Sequence, residues 1–279
     1  MEPANGEARR LTWLRVFSVP VGLGAAWYWI SHAPAATESL IYDSIAQAAT
    51  VFTLAVYLPL AVIAAVLGLV CRVRPLRVGS APVRWGLAGL AAGALGLAFS
   101  AGGAWLAGGV LPGTGTAGAA FIATGLVLTA IQSGAEELLL RGWLQPVLVG
   151  IGGPGAGIVG ASVLFAGLHL AGGQVAPTAL INMTLAGMMF GLLAWRSGGM
   201  IAPCAAHFAW NAVEDLGFGL VPNPGVGPFG ALLDIEIAGP ARWGGSGEGL
   251  DAGYPTMAVL IVLVLVLARR LPGTGSLRR

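Results

Sequence analysis

The sequence contains no lysine, and charge of either sign is scarce. Only 9% of the 279 residues are charged, whereas 56% are hydrophobic, and the mean hydropathy is +0.82. Soluble domains carry about 25% charged residues, so this scarcity excludes an ordinary soluble protein and predicts a polytopic membrane protein. The net charge of +2 gives no reason to expect a nucleic-acid partner. The first partner that the composition indicates is the lipid bilayer.

Cysteine is also nearly absent. Cys71 and Cys204 lie far apart in sequence, at or near apolar segments. Two such residues provide neither a disulfide framework nor a cysteine-based metal site, and we interpret them as packing residues. Two hydrolase signatures are missing as well, the Gly-x-Ser-x-Gly elbow and the His-Glu-x-x-His zinc helix. No convincing internal repeat is present, which counts against a transporter built from duplicated halves.

Long apolar runs, in contrast, fill most of the chain. At about 20 residues per crossing, the sequence predicts eight spans: 11–31, 45–70, 85–111, 117–141, 155–173, 175–195, 199–220 and 255–269. The predicted fold class is all-α, a polytopic membrane helix bundle of about eight transmembrane helices that enclose a polar cavity. Two pairs of glycines four residues apart, Gly89 with Gly93 and Gly187 with Gly191, have the spacing that allows close helix approach.

The distribution of charge predicts how these spans are oriented. With the N-terminus inside, nearly all arginines fall on cytoplasmic connections or ends, and only Arg242 lies clearly outside. Such a bias is typical of the cytoplasmic side, and the acidic residues concentrate on the opposite, outer connections. The prediction is therefore a multi-pass protein integral to the cell membrane, with both termini in the cytoplasm.

The stretch from Ser133 to Gly142 brings charge into this apolar sequence. A charged side chain at the centre of a membrane helix costs on the order of 2.5–3.5 kcal/mol, so such groups are expected to pair, line a wet cavity or do chemistry. In a helix, Glu137 and Arg141 lie four residues apart and can pair. Glu136 turns away from both and has no cation of its own. We therefore predict one structural carboxylate and one available carboxylate.

Two of the three histidines lie in apolar spans downstream of this acidic pair. His169 follows Phe165 by four residues, and His207 precedes Asn211 by four. Peptide hydrolysis needs an activated water, a base and donors for the developing oxyanion, and these side chains are of suitable types. Two histidines and a carboxylate also suit a catalytic zinc with water as its fourth ligand. The residues alone leave both chemistries open.

Taken together, the motifs resemble a known family. Three of them follow one another on successive apolar spans: Glu136-Glu137-x-x-x-Arg141, Phe165-x-x-x-His169 and His207-x-x-x-Asn211. This order is similar to that of the CPBP family, the CAAX prenyl endopeptidases and bacteriocin-processing or immunity proteins, also called the Abi family. The resemblance covers about residues 117–220. Leu140 departs from the pattern, since members often carry an aromatic residue before the arginine, and the departure affects packing rather than chemistry.

The resemblance implies an intramembrane endopeptidase. By the family's pattern, Glu136 activates a water with help from His169, whereas His207 and Asn211 stabilise the oxyanion. The supporting residues are Glu137, Arg141 and Phe165. We expect no cofactor, and the alternative is a zinc ion held by Glu136, His169 and His207. The expected substrate is a membrane-associated peptide or protein, lipid-modified ones included.

The chain is predicted to divide into four parts. These are N-terminal transmembrane helices (1–116), catalytic helices similar to those of the CPBP family (117–220), an extracytoplasmic loop (221–254), and a C-terminal transmembrane helix with a cytoplasmic tail (255–279). Two other functions compete with proteolysis. One is a proton-coupled transporter in which the carboxylate and the two histidines relay protons, and the other is a non-catalytic membrane partner such as an immunity protein.

The predicted spans leave one geometric difficulty. They place Glu136 and His207 towards the cytoplasmic side, but His169 late in an outward-going span. At 1.5 Å per residue the mismatch in height reaches roughly 15–20 Å. It shrinks if the fourth span continues towards Val149 and the glycines from Gly150 to Gly157 let the chain re-enter the protein.

Overall fold

The computed structural model describes residues 3–112, 119–220 and 227–269, and this part of the chain is largely helical. The helices are α1 (Pro3–Glu38), α2 (Ile45–Val70), α3 (Pro82–Leu106), α4 (Ala119–Glu137), α5 (Gln145–His169), α6 (Pro177–Ser197), α7 (Ile201–Ala212) and α8 (Tyr254–Ala268). Two π-helical segments, Leu138–Leu144 and Val213–Gly217, continue α4 and α7. Two short strands, β1 (Val110–Pro112) and β2 (Ile235–Ile237), pair antiparallel. The predicted all-α membrane bundle is confirmed.

In the part of the chain that the structure describes, not all of the eight predicted spans form helices that are long and apolar enough to cross a membrane. Within the described ranges, four helical stretches are long and apolar enough to cross a membrane: Ile45–Val70, Pro82–Leu106, Phe121–Gly172 and Pro177–Ser197. Helix α8 is apolar but has only 15 residues, and α7 has 12, whereas a crossing takes about 20. Eight crossings therefore stay a prediction.

Helix α5 reverses direction at Gly153, where φ is 82° and ψ is 175°. This backbone conformation is essentially restricted to glycine. A Cβ on Gly157 would collide with the side chain and backbone of Val149, so the segments before and after Gly153 run back to back. The fourth predicted span thus continues through the π-helical segment into α5. Glu136 precedes Gly153 by nearly as many residues as separate Gly153 from His169, which places both at similar heights and removes the predicted mismatch.

Glycine pairs at helical spacing mark the closest helix contacts. A Cβ on Gly89 or Gly93 would collide with carbonyl oxygens of α7, so α3 and α7 pack backbone to backbone. On α6, a Cβ on Gly187 would meet Ser162 of α5, and one on Gly191 would meet Gln145. The predicted close approach is confirmed at both pairs.

The connections that the arginines predict to be cytoplasmic meet at one end of the bundle. The Met200 backbone N–H donates to the Arg77 carbonyl (2.7 Å), which joins the start of α7 to the connection after α2. Arg196, at the end of α6, donates to the Leu267 carbonyl at the end of α8 (3.1 Å). Strands β1 and β2 lie beyond the opposite end of α3. The relative arrangement therefore agrees with the predicted topology, and the absolute orientation remains a prediction.

Cysteine labelling tests that orientation. In a background that lacks Cys71 and Cys204, an impermeant maleimide added from outside should modify Ser246→Cys and spare Thr274→Cys. Ser246 lies in the predicted outer loop, whereas Thr274 lies outside the described residues, in the predicted cytoplasmic tail. Permeabilised cells provide the control, since both positions should then react. The reverse pattern in intact cells would contradict the topology.

Candidate active site

The π-helical segment Leu138–Leu144 begins directly after the two glutamates. Insertions of this kind in an α-helix occur frequently at functional sites. Arg141, within the segment, donates from Nη1 to Glu137 Oε1 (2.8 Å) and from Nη2 to the Gly187 carbonyl of α6 (2.7 Å). Neither charged side chain has exposed surface. The predicted pairing of Glu137 with Arg141 is present, and it also joins α4 to α6.

His207 of α7 completes this buried chain. Its Nδ1 lies 2.9 Å from Glu137 Oε1, the same oxygen that accepts from Arg141. An ionised carboxylate oxygen only accepts hydrogen bonds. The Nδ1 of His207 therefore carries a proton and donates a hydrogen bond to Glu137. Glu137 therefore positions two side chains, the guanidinium of its own helix and the imidazole of α7.

Glu136 has different surroundings. Its side chain is 14% exposed, whereas that of Glu137 is fully buried. His207 Nε2 lies 3.7 Å from Glu136 Oε2, which is too long for a hydrogen bond. The hydroxyl of Tyr57, on α2, also faces the Glu136 carboxylate. Glu136 lacks an arginine partner, as predicted, but the edge of the His207 ring lies close to it.

His169 is oriented by its own helix. Its Nδ1 lies 2.9 Å from the Phe165 carbonyl one turn earlier. Because a carbonyl oxygen cannot donate, this nitrogen carries the proton and a neutral ring keeps its lone pair on Nε2. The Phe165 ring meets His169 edge to face at 4.5 Å, and Arg141 Cζ lies 5.4 Å from the Phe165 centroid. The Phe190 ring stacks on His207 at 4.7 Å.

A cavity of about 40 Å³ lies among these residues. Its lining comprises Gln132, Glu136, Phe165, His169, Asn182, Met183, Ala186, Phe190, His207, Trp210, Asn211, Glu214, Asp251, Thr256 and Leu260. The structure thus brings together all four residues that the sequence proposes as catalytic. A cavity needs about 10–15 Å³ to hold one water, so the space suits a few water molecules. The amide of Asn211 has no hydrogen-bond partner among the described side chains and backbone groups, so its N–H groups are available at the cavity.

Five polar lining residues were not proposed as catalytic from the sequence: Gln132, Asn182, Glu214, Asp251 and Thr256. Glu214 follows Asn211 by three residues and His207 by seven, so helical spacing was a usable signal for it. Asn182 entered none of the motifs. Asp251 stands out only as one of several acidic residues in the predicted outer loop, yet it is 7% exposed and lines the cavity. No spacing in the sequence places that loop against α7.

Burial raises the pKa of Asp251, in the loop before α8, from about 3.8 to about 7, and the Glu248 carboxylate adds to this while His207 opposes it. An acid whose pKa is higher in the folded state than in the unfolded state destabilises the fold as it ionises. The free energy of unfolding starts to fall as pH rises above the unfolded-state pKa, and the full loss is reached above the folded-state pKa. Asp251→Asn should therefore melt at a higher temperature than the wild type at pH 8. The corresponding gain in the free energy of unfolding is on the order of a few kcal/mol. At pH 4 the two proteins should melt alike.

Melting curves of the purified protein in detergent between pH 4 and 8 measure this difference. Glu236→Gln is the matched control, since Glu236 is an exposed carboxylate on β2. An advantage of Asp251→Asn that does not change with pH would contradict the assignment.

The residues do not assemble into the alternative zinc site. Across the ranges that the structure describes, no group of three or more His, Cys, Asp or Glu side chains is placed to hold a metal ion. We derive no step through a metal, and the expected lack of a cofactor stays a prediction.

Comparison with known families agrees with the motif order. Residues 118–213 match the family model described as type II CAAX prenyl endopeptidase Rce1-like. This segment is thus similar to the Rce1-like CAAX proteases, in agreement with the family whose motif order the sequence resembles. The Rce1-like segment contains all four candidate catalytic residues, whereas Glu214, Asp251 and Tyr57 lie outside it. No curated protein and no solved structure matches the chain.

The family assignment limits the class of function. The chain is a multi-pass membrane protein with an endopeptidase segment of the CAAX protease type. Its partners are therefore the lipid membrane and a peptide or protein substrate.

Proposed function

We propose that the chain is an integral cell-membrane endopeptidase that cleaves a membrane-associated peptide or protein with water activated by Glu136. The observation that carries the proposal is the meeting of Glu136, His169, His207 and Asn211 around one water-sized cavity. Three different helical segments supply these residues. Cleavage of peptides by the purified chain in detergent, followed by mass spectrometry, tests the function.

Glu136 is the proposed base because it is the carboxylate that is not paired with Arg141. It takes a proton from the water as the water oxygen attacks the carbonyl carbon of the substrate. The same proton then passes to the leaving nitrogen when the carbon–nitrogen bond breaks, so Glu136 returns to its starting state. His169 positions the water by accepting its second hydrogen on Nε2, since Nδ1 is engaged by the Phe165 carbonyl.

The oxyanion formed in the attack needs donors that do not have to reorganise. Asn211 offers an amide N–H without another partner in the described part of the chain. His207 offers Nε2–H in its imidazolium form, while its Nδ1–H remains hydrogen-bonded to Glu137. Glu137, Arg141 and Phe165 would act by holding the two rings in place rather than by touching the substrate.

Asn211→Ala should lower kcat by about 100–1,000-fold with little change in KM, because the oxyanion exists only along the reaction path. His207→Ala should act similarly, and the double variant should lose less than the product of the two losses. Steady-state kinetics on one cleaved peptide measure all three.

Metal analysis of the same active samples provides the complementary test. Activity should survive chelation of divalent metal. Stoichiometric zinc that leaves together with activity, and restores it when returned, would contradict the glutamate mechanism.

A further inference from the structure

One wall of the cavity carries buried oxygen atoms that no donor of the protein reaches. Asn182 Oδ1, Glu214 Oε1 and Thr256 Oγ1 have no hydrogen-bond partner within the described residues. Their residues are 2%, 1% and 1% exposed, and all three line the cavity. Each buried unsatisfied group costs about 1–3 kcal/mol, and folded proteins contain few of them. Three unsatisfied oxygens on one wall indicate that a bound molecule supplies the hydrogen-bond donors.

Asp251 adds a carboxylate to this wall, and its position is well held. The Asn182 amide donates to the carbonyls of Asp251 (2.7 Å) and Gly253 (2.9 Å). Nearby, the Glu248 carboxylate accepts from the backbone N–H groups of Val175 (3.1 Å) and Ala176 (2.9 Å), just before α6. These contacts attach the loop before α8 to the start of α6. The wall is therefore a built surface rather than a loop that happens to lie nearby.

The protein places no permanent cation at this wall. No arginine lines the described cavity, and the chain contains no lysine. Arg141, the nearest arginine of the site, is engaged by Glu137 and Gly187. The wall thus combines two carboxylates, an amide oxygen and a hydroxyl, and His207 is a nearby group that can carry one positive charge.

We propose that this wall is a subsite for a cationic side chain of the substrate, the ammonium of a lysine or the guanidinium of an arginine. The oxygens that would bind it belong to Asn182, Glu214, Asp251 and Thr256. An ammonium has three donors and a guanidinium five, and neither has an acceptor, so both match a wall of oxygens. Because the wall and Glu136 line the same small cavity, the charged end of the basic side chain would lie next to the cleaved bond. The proposal rests on the proposed endopeptidase function and adds its specificity.

The first experiment uses a peptide library, with purified full-length protein in detergent and mass spectrometry of the cleavage products. Lysine and arginine should be enriched at one position beside the cut by about tenfold or more in the wild type. The enrichment should disappear in Glu214→Gln combined with Asp251→Asn, while cleavage beside neutral residues persists. Glu236→Gln is the matched control and should keep the wild-type preference. Glu214→Gln alone should reduce the enrichment, which keeps the test informative if the double variant folds poorly.

The second experiment does not depend on proteolysis. n-Butylammonium chloride should raise the melting temperature saturably in the wild type and in Glu136→Gln, but not in the double variant, and n-butanol should do so in none. Wild-type cleavage without enrichment of basic residues would overturn the subsite and leave the endopeptidase intact. If the wild type cleaves nothing, the proposed function fails, and the butylammonium result alone decides the subsite: stabilisation that requires Glu214 and Asp251 supports it, and its absence overturns it.

Discussion

Glu136→Gln is expected to reduce peptide cleavage to background while the protein stays folded. Glutamine keeps the shape of the side chain but cannot take a proton from water. General-base catalysis typically contributes about 100–10,000-fold, and Glu136 would also return the proton to the leaving nitrogen, so the loss should fall at the upper end. Stability should change little, because Arg141 is paired with Glu137 and not with Glu136.

The measurement combines cleavage rate with a melting curve of each protein in detergent. Glu236→Gln makes the same chemical change on an exposed strand and should leave both quantities as in the wild type. A Glu136→Gln protein that still cleaves at near the wild-type rate would contradict the role of Glu136. A proton-coupled transporter would give no cleavage in either protein, so the same experiment separates the two functions.

Glu137→Gln should act mainly on stability. Both members of the Glu137–Arg141 pair are fully buried, and removing one partner leaves the guanidinium uncompensated. Breaking a buried pair costs about 3–5 kcal/mol. The same change replaces the carboxylate that accepts from His207 Nδ1 with a neutral amide, which is a weaker acceptor, so whatever folded protein remains should also cleave more slowly. The melting temperature should fall well below that of Glu136→Gln.

A compensating change makes this prediction specific. Glu137→Gln combined with Arg141→Met removes the unpaired charge and should recover part of the lost stability, because an apolar pair needs no counter-ion. It should not recover activity, since His207 still lacks its carboxylate. Equal melting temperatures of Glu137→Gln and the wild type would show that the pair does not support the fold.

Much of the site follows from local spacing. A helix brings residues four apart onto one face whatever surrounds it, so the positions of Glu137 and Arg141 in the sequence are enough to predict their pairing. The same rule places His207 with Asn211. Applied one turn further, it would also have added Glu214. Small residues at helical spacing likewise predict where α3 and α6 are approached closely, since only they permit it.

Other features depend on how distant segments pack. The reversal at Gly153 decides that His169 reaches the height of Glu136, and a run of glycines in the sequence does not reveal which of them leaves the helical conformation. Tyr57 and Asp251 come to the site from α2 and from the loop before α8, far from the family's motifs. Scarce charge and long apolar runs thus determined the fold class, and helical spacing determined the buried ion pair, because both signals are local. The catalytic roles of the candidate residues were implied by a motif order that resembles the CPBP family. Only the tertiary structure decided that one cavity collects those residues and adds an acidic wall, because contacts between separate segments have no period in the sequence.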